Sequence, residues 1–125
     1  KLPINTIAYS PGGFGLLSGK YSPTNPPKDE RKTIKALYSS LFPSLLEEIK
    51  TLGHKYNVSP YFISLSWVSA MGPWAIVRGV GKEEDLDIMT IQLEEDEVDN
   101  LSSIAKEISL SNSSDNIFSH NWMLQ

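Results

Sequence analysis

Twice in 125 residues a short apolar run breaks off into glycines, and this repeated event limits the fold more than any other feature. The first run, Ile4–Tyr9, stops at Ser10-Pro11 and is followed by Gly12, Gly13 and Gly15. The second, Trp74–Val77 with Arg78 closing it, empties into Gly79 and Gly81. Runs of this length and content predict buried strands. A strand that empties into a glycine-rich loop is one place where α/β proteins hold phosphate groups, because exposed N–H groups can point at an anion there. It is more often a plain connection.

Between the two runs the pattern is helical. The loop Ser22–Lys28 is rich in proline and turn formers and excludes a regular element. Asp29 reads as a helix start, with Ile34, Leu37 and Leu41 at helical spacing until Pro43 interrupts. Leu45, Leu46, Ile49 and Leu52 resume the pattern up to Gly53, which predicts two short helices or one kinked at Pro43. Ser59-Pro60 is a cap followed by proline at the first helical position, and the helix it opens carries Phe62, Ile63, Leu65, Trp67 and Val68. Past the second strand a helix is expected from Lys82 through Leu86, and a last one after Leu93 with Val98, Leu101, Ile104 and Ile108 on one face. The order predicts a βαβ unit with additions, its strands parallel and joined by a right-handed crossover. Phe62, Leu65, Trp67 and Trp74 are the expected core aromatics and aliphatics. The acidic cluster Glu94–Glu97 reads as a helix N-terminus carrying favourable negative charge.

Eleven basic against fifteen acidic side chains give a net charge of −4, which argues against nucleic acid or an acidic membrane surface as partner. No apolar run approaches the roughly 20 residues of a membrane span. Without cysteine there is no disulfide framework, thiol nucleophile or thiolate metal site. His54 and His120 have no second ligand at metal or triad spacing, so both are expected at the surface and no metal site is predicted. Lys1 in place of Met points to a fragment or a processed product.

The literal residues of the first loop, AYSPGGFGLLSGKYSPTNPP, resemble the AYSP-loop-GLL-(Ser/Thr)-GKY segment of the aldo-keto reductases, in the branch with the potassium-channel β-subunit-like and plant-type members. VSPYFISLSWVSAMGPWAIVRGVGKEEDLD resembles the segment leading into that family's eighth strand, and LEEDEVDNL its closing helix. The resemblance implies an α/β architecture, the last two strands of a (β/α)₈ TIM barrel with their helices, incomplete in this chain. Residues 1–108 would be the carboxy-terminal βαβα portion and 109–125 a tail bordering the substrate pocket. In the family the first loop wraps the pyrophosphate of NADP, and the aromatic at the strand end stacks on the nicotinamide. Carried over residue by residue, Tyr9 takes the stacking position, and Ser10, Pro11, Gly12, Gly13, Phe14 and Gly15 lie on the wrapping loop. Lys20 matches a basic residue that reaches the phosphates, and Arg31 is a further candidate. Gly12 replaces the usual Leu, which is expected to loosen the loop. The turn after the eighth strand holds the adenine ribose and its 2′-phosphate in the family. There Gly79 matches a glycine, Gly81 stands where Ser or Arg is usual, and Asp85 where Gln or Arg meets the adenosine end. Ile88-Met89 replace a Glu-Asn pair, and Lys82 reads as the only positive charge at this turn. Lys20, Arg31 and Lys82 have the alternative of being solvated surface cations, and Tyr9 of being core.

The family reduces carbonyls by hydride transfer from NAD(P)H, with a Tyr acid tuned by Lys and Asp and a His that orients the substrate. No segment here resembles the strands that bear those four, so no catalytic residue is assigned and the chain by itself is expected to be inactive. The implied function is part of an NADP-dependent oxidoreductase, carrying cofactor loops. Glu83, Glu84 and Asp85 crowd the helix start that a 2′-phosphate would use, so NAD is the alternative cofactor and discrimination is expected to be weak. A second class of function is a non-catalytic, reductase-like binding or regulatory protein. The implied partners are the remainder of the barrel or another copy of the chain, with a small carbonyl substrate in the parent. The expected compartment is the cytoplasm, with an organelle as the alternative.

Overall fold

The computed structural model describes residues 4–79 and 91–111. The predicted helix at 82–86, Gly81, Lys82, Asp85, His120 and the tail beyond Ser111 lie outside these residues.

Three of the stretches with helical apolar spacing form α-helices, and the one after Asp29 does not. Leu45, Leu46, Ile49 and Leu52 fall on α1 (Phe42–Tyr56). Pro43 sits in its first turn, where a missing N–H leaves nothing unpaired, so it opens this helix rather than kinking a longer one. Asp29 does cap a turn, its carboxylate accepting the Arg31 N–H at 3.0 Å. Beyond that cap, a pair of 3-10 turns, Glu30–Thr33 and Lys35–Tyr38, replaces the predicted helix. α2 (Pro60–Ala70) opens where Ser59-Pro60 predicts, with Pro60 at the first helical position, but Ser59 stands at the cap position without a side-chain hydrogen bond to the helix. α3 (Glu95–Ser111) runs past Ile108, so the expected start of the tail at 109 falls inside a helix.

Gly53 does not stop α1. Asn57 does, in the left-handed conformation at φ 55°, and the chain then folds back so that the Val58 N–H reaches the Gly53 carbonyl at 2.9 Å. The glycine is there for space, since a Cβ would stand 2.9 Å from the Val58 carbonyl oxygen. Propensity alone would have Gly53→Ala stabilise the helix by roughly 1 kcal/mol. The backbone collision reverses the sign, and a net loss of about 1–3 kcal/mol is expected by chemical denaturation of the full-length protein. An unchanged or raised midpoint would show that the return loop yields freely.

Burial is helical in origin. Leu45, Ile49 and Leu52 of α1 join Ile63 of α2, Leu93, and Leu101 and Ile108 of α3 in one apolar cluster. On its other flank α1 uses Phe42 and Leu46 to bury Leu16, Ile34 and Leu37 from the long connection that precedes it. The strands contribute to neither cluster. β1 (Ile7–Tyr9) and β2 (Ala75–Val77) pair parallel, Ile7 with Ala75 and Tyr9 with Val77, and the Trp74 N–H extends the pairing to the Thr6 carbonyl at 2.8 Å. Both are shorter than the runs that predict them. They are also not buried: Ile7, Tyr9 and Val77 are each more than half exposed, and Ile4 and Trp74 are exposed beyond 70%. Trp74 is therefore not a core residue, while Trp67 is half-buried with its Nε1–H donating to Ser102 Oγ at 3.0 Å. The expectation of buried strands fails because nothing among the described residues packs over this face of the sheet.

Candidate functional site

Leaving β1, the chain goes straight into strained backbone. Ser10 (φ 50°) and Phe14 (φ 58°) adopt the left-handed conformation without being glycine, alongside Gly13 (φ 58°) and Gly15 (φ 86°). Non-glycine residues rarely hold this geometry unless their surroundings enforce it, and such positions gather at ligand loops. The enforcement is visible. Leu16 is locked into the core behind α1, and Ser18 Oγ donates to the Gly15 carbonyl at 2.6 Å. Arg31 reaches back across the connection to donate from Nη1 to the Phe14 carbonyl at 2.8 Å.

Arg31 has little left to offer an anion. Its Nε and Nη2 donate to both oxygens of Asp29, at 2.6 to 3.1 Å, and Nη2 also meets the Tyr21 hydroxyl at 3.2 Å. Its guanidinium lies 5.1 Å from the Tyr21 ring centre. The hydrogen bonds from Arg31 hold the Asp29 carboxyl down at about 2, and the carboxylate in turn raises the guanidinium further. As found, Arg31 holds the loop to the connection behind it. The loop amides are also largely used. Those of Gly13, Gly15, Leu16, Leu17 and Ser18 donate to carbonyls of Ser10, Gly12, Gly13 and Gly15, so the picture of a row of exposed N–H groups is not met at these positions.

A positive charge comes instead from the end of β2. Ser10, Pro11, Gly12, Phe14 and Gly15 line a cavity of about 150 Å³ together with Gly79, and with two residues that the loop motifs do not single out, Tyr61 and Arg78. Among the described residues Arg78 Nε and Nη2 are buried without a hydrogen-bond partner, and the guanidinium carbon lies 5.7 Å from the Tyr61 ring centre. Donors of a charged group left unmatched in a buried place are costly and call for an acceptor. The volume is below the roughly 300–1,000 Å³ that encloses a whole small molecule, and suits one anionic end of a larger ligand. Tyr9, Gly13, Lys20 and Arg31 lie outside the lining, with Tyr9 and Lys20 exposed nearby in sequence.

Lys82 is therefore not the only cation at the second glycine turn. The sequence itself carries the correction, because Arg78 immediately precedes Gly79; counting it as the last strand residue hides it. Nothing in the sequence connects Tyr61 to the loop, since the contact spans two elements. Among the described residues no cluster of His, Cys, Asp or Glu could hold a metal ion, and no helix is long and apolar enough to cross a membrane.

Comparison with known proteins gives one consistent answer. The sequence model described as "Aldo/keto reductase family" matches residues 1–106. The chain is 36% identical over 117 residues to a protein of Strobilurus tenacellus described as "Aldo-keto reductase str7". That alignment takes in 86% of this chain and 35% of the relative, so the chain spans about a third of the protein it resembles. No solved structure matches.

Proposed function

The chain belongs to the aldo/keto reductase family, and from that premise we propose that it is the carboxy-terminal part of an NAD(P)H-dependent carbonyl reductase, contributing one wall of the cofactor site. The observation that carries the reading is the pair of orphaned Arg78 donors on a cavity walled by the glycine loop. A phosphate oxygen seated there would accept from Nε and Nη2, and a guanidinium is well suited to such planar, two-point recognition. Ser10 lies on the same cavity and adds a hydroxyl. Tyr9, at the carboxyl end of β1 with its side chain exposed, offers a ring face for the flat nicotinamide. The cofactor supplies the hydride; these residues bind and orient it. Two short parallel strands whose apolar side chains face outward are what a section of a larger barrel leaves when cut free.

The test is a titration of the full-length protein with NADPH and NADH. NADPH is expected to bind, with a preference over NADH below a hundredfold because Glu83, Glu84 and Asp85 come after the second turn. Arg78→Met should weaken NADPH by about 10- to 100-fold, the loss of a charge-assisted contact of about 1.5–3 kcal/mol. An Arg78→Met protein that binds NADPH like the wild type would remove the basis of the proposal.

A further inference from the structure

Gly12 is glycine for a different reason from its neighbours. Gly13 and Gly15 need positive φ, whereas Gly12 is outside that set. What excludes a side chain at 12 is Tyr61, whose Cε2 and Cδ2 would lie 2.6 and 3.0 Å from an added Cβ. The same ring stands 5.7 Å from the Arg78 guanidinium carbon. Tyr61 belongs to neither apolar cluster, so its ring is not spent on the core. It stands between the two sides of the cavity instead, against the buried backbone of Gly12 on one and within cation–π range of the Arg78 guanidinium on the other.

We infer that Tyr61 is the positioning residue of this anion site, fixing the course of the glycine loop by contact at Gly12 and holding the Arg78 guanidinium in place by cation–π attraction. The expected loosening of the loop by Gly12 is thereby answered, because the volume a larger residue would fill at 12 is filled by the ring at 61. Placement on the first turn of α2, behind Pro60, makes the ring a fixed reference for both partners. Rigid support from a neighbouring element is what keeps a binding group within reach of its ligand. The inference rests on the reading that the cavity takes a phosphate of the dinucleotide, and the experiment separates the two.

Four full-length variants, Tyr61→Ala, Tyr61→Phe, Gly12→Ala and the double Gly12→Ala/Tyr61→Ala, are titrated calorimetrically with inorganic pyrophosphate and with NADPH. Tyr61→Ala should weaken both by about tenfold, or about 1.4 kcal/mol, the scale of one partly desolvated cation–π contact. Tyr61→Phe keeps the ring face and should stay within about twofold of wild type, which a role for the hydroxyl would not allow. Gly12→Ala should weaken binding in the wild-type background and cost nothing further when Tyr61 is already Ala, since the collision is then gone; such non-additivity is the mark of two residues in contact. Tyr61→Ala binding like wild type, Tyr61→Phe as weak as Tyr61→Ala, or additive effects at 12 and 61 would each overturn the inference and leave the cofactor reading standing. Pyrophosphate binding with the expected pattern but no NADPH binding would uphold the inference and sink the cofactor. A wild-type protein that binds neither overturns both.

Discussion

Made by itself, the 125-residue chain is expected to keep helical secondary structure but to associate, with weak near-ultraviolet aromatic signals and no cooperative thermal transition. The helices have a core of their own, in which Leu37, Ile49, Ile63 and Leu101 are fully or almost fully buried. The sheet has none. Its two strands hold three residues each, and a two-stranded sheet is marginal in water even when one face is covered. Ile7, Tyr9 and Val77 stand exposed on one face of it, and Trp74, just before β2, is exposed as well, large apolar side chains without cover among the described residues. Among the described residues each strand has one paired edge only, and an unpaired edge beside exposed apolar side chains recruits further strands. On the reading proposed above, the rest of a barrel would supply both the neighbours and the cover. Sedimentation velocity and near-ultraviolet circular dichroism on the isolated chain decide it. A monomer with fixed aromatic signals and a sharp melting transition would show that the sheet needs no partner.

What can be read from the sequence divides along the range of the interactions concerned. Helix positions are legible because they derive from spacing within one segment: Leu45, Ile49 and Leu52 announce α1, and Ser59-Pro60 announces α2. The parallel pairing of the strands is legible because it derives from order. Strand burial is not legible at Trp74 and Ile7, since an apolar run says that a residue seeks cover and not that the same chain provides it. The glycine loop is legible as a loop, but the roles within it are not. Whether Arg31 faces a ligand depends on Asp29, Phe14 and Tyr21, and only the folded chain brings those to its donors. Arg78 stands in plain view beside Gly79, whereas Tyr61 meets Gly12 across a separation of 49 positions that no local pattern encodes.

Glu97 reads in sequence as one more carboxylate of a helix N-terminus, and its actual setting makes the stability of the fold depend on pH. It is 8% exposed, at the third position of α3, and its Oε2 accepts the Glu94 N–H at 2.9 Å, the return half of a capping box. The same carboxylate takes the Tyr56 hydroxyl at 2.7 Å and pairs with the Lys55 ammonium, so it ties the end of α1 to the start of α3. Burial by itself pushes this carboxyl up, but hydrogen bonds from Lys55, Tyr56 and Glu94 outweigh it and leave it below the ordinary glutamate range. Its presence raises both the Lys55 ammonium and the Tyr56 hydroxyl. A depressed folded value means that the unfolded chain binds the proton first as pH falls. The stabilisation is therefore complete above the unfolded glutamate value of about 4.3 and is lost as pH drops through the lower folded value. Glu97→Gln, which keeps the shape without the charge, should cost the full-length protein about 1–3 kcal/mol at pH 7, a charge-assisted network having lost its acceptor. As pH falls through the lowered folded value the two proteins should converge, because protonation neutralises the wild-type carboxylate as well. Urea denaturation of both at several pH values reads the difference directly. A gap that does not narrow on acidification, up to the point where the wild-type protein itself unfolds, would mean that Glu97 acts through packing, and that its charge contributes nothing to joining α1 and α3.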